Sequence, residues 1–146
     1  MIREYEQYHG AAIVRILHAT KERVTIRAFS KVTSSAYVIN DAIGIYIKYS
    51  GKRMPPWTFS FKYDHQQEIA KLFATYKKAY LILICHTDGI VTLSYRELKQ
   101  ILDHIHEPTE WIRVTRHKRE KYTITGKDGK LNYKIGNSDF PSKLFT

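Results

Sequence analysis

The chain has 146 residues, with 24 Lys and Arg against 14 Asp and Glu, a formal charge of +10 and a mean hydropathy of -0.41. That length suits a single domain, 1–146, around one core, and a hydrophobic fraction of 43% argues against disorder. No run approaches the roughly 20 apolar residues of a membrane helix, Met1-Ile2-Arg3-Glu4 lacks the apolar centre of a signal peptide, and Cys85 is the single cysteine, which excludes an intramolecular disulfide and a multi-cysteine zinc site. The expected setting is cytoplasmic, with no membrane partner.

The first elements alternate in character. Tyr5, Tyr8, Ala12, Ile16 and Leu17 recur at helical spacing over the first twenty residues, which predicts a helix with one buried face. Val24 to Phe29 alternates apolar and polar residues like a half-buried strand. Two further strands, Ala36 to Ile39 and Ile43 to Tyr49, are separated by Asn40-Asp41, a pair suited to a tight hairpin. Gly51 and Pro55-Pro56 interrupt every period, so 50–56 is a loop.

Trp57 to Phe61 resumes strand alternation. A helix capped by Asp64 is expected to run to about Tyr76, burying Ile69, Leu72, Phe73 and Tyr76. Tyr80 to Cys85 is a continuous apolar run, expected as a central strand covered on both faces, in which Cys85 is structural. Asp88-Gly89 turns the chain into a strand over 90–93, and Ser94 caps a helix expected to reach His104. Trp111 to Val114, Tyr122 to Thr125 and Leu131 to Ile135 are the strands expected in the last third, the latter two joined by a turn at 127–130. The order implies an α/β fold: a central mixed sheet flanked by helices over about 1–104, with a β-rich C-terminal extension over about 107–146.

From Glu6 to about Leu102 this order resembles the PD-(D/E)XK nuclease-like superfamily, in the style of archaeal Holliday-junction resolvases. The matching pieces are Tyr5 to Gly10, Ile45 to Ser50 with its strand-borne Lys48, the helix from His65, and the strand Tyr80 to Cys85. The wording of Tyr37 to Phe61 and of Asp88 to Leu102 also resembles a bacterial family of similar length. The superfamily resemblance implies a restriction-endonuclease-like core. It also implies a magnesium site in which Glu6 and Asp41 would hold the metal and Lys48 would orient or activate water. The chain departs from that pattern at Tyr46-Ile47-Lys48, where a neutral phenol stands in the place of a carboxylate. Magnesium is therefore expected only if the protein is a nuclease, and otherwise no cofactor or metal.

The remaining signals are electrostatic. Histidines, including His104 and His106, have no cysteine or acidic partner at ligand spacing, and no glycine-rich phosphate loop or serine elbow is present. Lys48, Lys52, Arg53 and Lys62 occupy a stretch without acids from Ile43 to Tyr63, interleaved with aromatics that either stack on bases, Trp57 first among them, or belong to the core. Arg113, Arg116, Lys118 and Arg119 form a second basic cluster, serving either phosphate or a charged strand edge. Three functions stay open on this basis. The first is a nucleic-acid-binding protein without complete catalytic machinery, DNA ahead of RNA. The second is a metal-dependent endonuclease or resolvase. The third is an interaction module for acidic partners, with a homodimer through a free sheet edge.

Overall fold

A computed structural model describes residues 1–103, 105, 107–108 and 110–146. Helix α1 (Glu4–His18) precedes strands β1 (Ile26–Ala28), β2 (Ala36–Ile39), β3 (Ile43–Ser50) and β4 (Trp57–Ser60). Helix α2 (Tyr63–Thr75), strands β5 (Lys78–Cys85) and β6 (Gly89–Ser94) and helix α3 (Tyr95–Ile101) come next. Strands β7 (Trp111–Thr115), β8 (Thr123–Gly126) and β9 (Gly129–Lys130) follow, then helix α4 (Asp139–Ser142) and a 3-10 turn over Lys143–Phe145. No helix of the described residues is long and apolar enough to cross a membrane.

Asn40 and Asp41 both adopt left-handed backbone, with φ of 53° and 54°, and so fold β2 back on β3 in the tight hairpin their side-chain types favour. The resulting five-stranded sheet runs β1-β2-β3-β5-β6, antiparallel except for the central parallel pair β3 and β5. The α/β class with a mixed central sheet is thus what the chain forms. Period-two alternation sorts the strand side chains between two layers. Ile45, Ile47, Ile82 and Ile84 meet Ala12 and Ile16 of α1 on one face, with Phe140 and Leu144 closing that layer. Tyr46, Leu81, Leu83 and Val91 face the opposite way, toward α2, α3 and the second sheet. Each such Leu or Ile contributes about 1.5–3 kcal/mol by leaving water.

The second sheet is antiparallel, in the order β4-β7-β8-β9. Its edge strand β4 comes from between β3 and α2, so β7, β8 and β9 extend a sheet begun earlier in the chain. Trp57 and Phe59 point inward against Ile112, Val114 and Ile124. The α3 helix ends at Ile101, short of His104, and the Asp128 amide donates to the Ile101 carbonyl at 3.0 Å. The hairpin of β8 and β9 lies so close to this helix end that a Cβ on Gly126 would stand 2.2 Å from the Ile101 carbonyl oxygen.

Other expectations shift. The residue capping α2 is Lys62 rather than Asp64, and the first strand is confined to Ile26–Ala28. Leu131 to Ile135 forms no strand; only Ile135 bridges back to Tyr122, while the short β9 directly follows the turn. His104 and His106 lie outside the described residues.

Candidate nucleic-acid interface and the Lys48 site

The register of the second sheet joins the two basic clusters. Trp57 pairs with Val114, Thr58 with Arg113 and Ser60 with Trp111. The loop carrying Lys52 and Arg53 enters β4 at the end where β7 leaves into the loop carrying Lys118 and Arg119, and all four side chains are exposed. Arg113 projects from the middle of β7 with its guanidinium 5.1 Å from the Trp111 ring, and exposed Lys62 lies beyond the far end of β4. β4 spans only about 13 Å, so its pairing with β7 sets the loop of Lys52 and Arg53 beside the loop of Lys118 and Arg119 at one end of the strand pair, with Arg113 on the pair itself and Lys62 just after the other end. At the Lys62 end a groove of about 550 Å³ is lined by Ser60, Lys62, Tyr63, Glu110, Trp111 and Arg113.

Two expected contact residues are engaged elsewhere. Trp57 has no exposed surface, and its indole N–H donates to the Lys52 carbonyl at 2.8 Å, so it belongs to the core and offers no face to a base. Arg116 makes a two-pronged ion pair with Asp88, both contacts at 2.7 Å, and sits over the Tyr122 ring. Tyr122 adds a 2.6 Å hydrogen bond to the same carboxylate. Asp88 is buried enough to resist ionising, yet Arg116 and Tyr122 hold its carboxyl below the usual range. Trp111, half-buried beside Arg113, and exposed Tyr63 are aromatic residues that line the groove.

Lys48 occupies a site of its own where β3, β4 and the first turn of α2 meet. Its ammonium donates to the Ser60 carbonyl, lies 3.2 Å from His65 Nδ1 and stands 4.7 Å from the Phe61 ring centre. His65 Nδ1 also accepts from the Lys62 amide at 3.3 Å. With two donors on Nδ1 the neutral ring carries its proton on Nε2. Burial, then the charge of Lys62, push Lys48 down to about 8, and burial followed by Lys48 holds His65 below its ordinary value. Close by, Glu68 Oε2 accepts from Tyr46 at 2.7 Å and from Thr33 at 2.8 Å.

Glu6, Asp41 and Lys48 are not brought together. Glu6 is exposed on α1, where it accepts from the Arg3 amide, and α1 covers the sheet face opposite Lys48. Asp41 is in the hairpin turn before β3, paired with Arg27 at 2.8 Å, and β3 carries the chain about 16 Å from Ile43 to Lys48. The carboxylate nearest the strand position of Tyr46 comes instead from Glu68 on α2. Neither His65 nor Glu68 was singled out from sequence, although both extend the α2 stripe of Ile69 and Leu72 by one helical turn. Cys85 is fully buried, and burial pushes its thiol up, consistent with its structural place in β5.

In comparisons with protein-family models, curated proteins and solved structures, nothing matches this chain.

Proposed function

We propose that the protein binds nucleic acid, DNA first, along the strip formed by Lys52, Arg53, Lys62, Arg113, Lys118 and Arg119, and does not cut it. The pairing of β4 with β7 supports this reading, because it brings the chain segments that carry two basic clusters side by side in a chain of net charge +10. Cations at the strip would position phosphates, and Trp111 offers a partial ring face beside them. The absence of cutting is supported by the separation of Glu6, Asp41 and Lys48.

The test is fluorescence anisotropy with labelled duplex, four-way junction, single-stranded DNA and RNA across a salt series. With four to six phosphate contacts, log affinity should fall against log salt with a slope of about -4 to -5 on duplex DNA. A slope near zero on every probe overturns the reading and moves preference to an acidic protein partner.

A magnesium-dependent nuclease has one observation in its favour. Glu68 stands against Tyr46 next to Lys48, whose ammonium is held down to about 8. In that version Glu68 replaces the strand carboxylate and Lys48 attends the water. Magnesium-dependent cleavage of plasmid or branched DNA that vanishes in Lys48→Ala would establish it over pure binding.

A further inference from the structure

A second cluster lies where the end of α3, the start of β7 and the turn between β8 and β9 converge. One carboxylate oxygen from each of Asp103, Glu110 and Asp128 lies within 4.8 Å of the others, and this is the one such group of potential ligands among the described residues. The backbone orients them. The Asp103 amide donates to Asp128 Oδ2 at 3.0 Å, the Ile105 amide to Asp103 Oδ1 at 3.0 Å, and the Glu107 amide to Glu110 Oε1 at 3.2 Å.

Glu110 supplies the second, independent observation. Its side chain has no exposed surface, and its Oε2 has no hydrogen-bond partner among the described residues. A carboxylate oxygen withdrawn from water and left unpaired is destabilising, and a proton, a water or a bound cation relieves it. Lys127 contacts Glu107 and comes no nearer than 3.8 Å to Glu110 Oε1, so this single cation is shared among the local acids. This negative focus stands out on a chain of charge +10.

We propose that Asp103, Glu110 and Asp128 bind a hard divalent cation, calcium before magnesium, tying Asp103 after α3 and Glu110 before β7 to the β8–β9 hairpin. The ligands are all oxygens, which such ions prefer. Calcium tolerates irregular sets of oxygens at about 2.3–2.6 Å, whereas magnesium requires a near-ideal octahedron. Ligands on three separate segments suit the more permissive ion. The proposal does not rest on the nucleic-acid reading, although Glu110 also lines the groove beside Lys62 and Arg113.

The experiment uses the full chain without nucleic acid, stripped of metal and titrated with calcium, magnesium or manganese while thermal unfolding is followed. In parallel, terbium emission sensitised by Trp111, the neighbour of Glu110, reports occupancy of the site directly. Calcium is expected to raise the Tm saturably and to displace terbium. Glu110→Gln and Asp128→Asn should each weaken terbium and calcium by at least about 10-fold, the lower end of what losing even an outer-shell partner costs. Asp128 is exposed, so its variant folds even if Glu110→Gln does not. Absence of both the Tm shift and terbium emission overturns the site, as does a response unchanged in Asp128→Asn. A larger shift with magnesium than with calcium overturns the assignment of the ion.

Discussion

The Tyr46 phenol donates to the Glu68 carboxylate across 2.7 Å, linking β3 to α2 beside Lys48. Burial first, and then this bond, raise the phenol well above its ordinary 10.0. Because the folded pKa is the higher one, the stability this group contributes is present below about pH 10 and is lost as the solution becomes more alkaline. Tyr46→Phe should cost about 1.5–3 kcal/mol, the range for a hydrogen bond to a charged group. Urea unfolding near neutral pH measures it, and a variant as stable as the parent would show that the bond contributes nothing.

Lys48 titrates with the opposite consequence. Its pKa falls from 10.5 to about 8 on folding, so between those values the unfolded chain holds more protons and stability rises with pH. Lys48→Met removes that term. The variant should gain on the parent most below pH 8, and the difference should change steadily toward pH 10.5, as read from urea midpoints at constant ionic strength. A difference independent of pH would contradict the burial of this ammonium.

The two loops at the Arg53 and Arg119 end should act as one surface. Lys52→Ala with Arg53→Ala, and separately Lys118→Ala with Arg119→Ala, should each flatten the salt slope of DNA binding by about 2. All four residues are exposed, so folding should be nearly unchanged. Trp57→Ala provides the contrast: it should cost about 3–5 kcal/mol of stability without changing the slope measured on folded protein. If only one double variant alters the slope, the strip is divided and the shared surface is wrong.

Arg116 should behave as a structural residue despite its charge. Arg116→Ala strips Asp88 of its two-pronged partner and should cost about 1.5–3 kcal/mol while leaving the salt slope near that of the parent. A variant of parental stability with a flattened slope would return Arg116 to the phosphate contacts. Thermal unfolding and anisotropy on the same preparations decide between the two outcomes.

Strands β3, β5 and β6 were legible because alternation and unbroken apolar runs leave few other conformations for Ile45, Ile82 or Val91, and the turn at Asn40-Asp41 needed only its residue types. The α2 stripe was legible through Ile69 and Leu72, but His65 and Glu68 on the same face read as ordinary polar residues. Their role depends on Lys48 and Tyr46 arriving from another strand. Pairing of β4 with β7 could not be read, since alternation says which face of Trp57 or Ile112 is buried and nothing about which strand lies alongside. Nor could β9 be placed: Gly129 passes α3 so closely that a Cβ would stand 2.1 Å from the Gln100 carbonyl oxygen, a tertiary constraint that leaves no local pattern.

Strand β4 obtains its ladder partner only from β7, far later in the chain. During synthesis Trp57 and Phe59 therefore emerge from the ribosome well before the residues that cover them. The five-stranded sheet has all its strands once β6 has emerged, but an aromatic edge must wait beside it uncovered. The second sheet can therefore be completed only after translation of β7, not when the central sheet has been made.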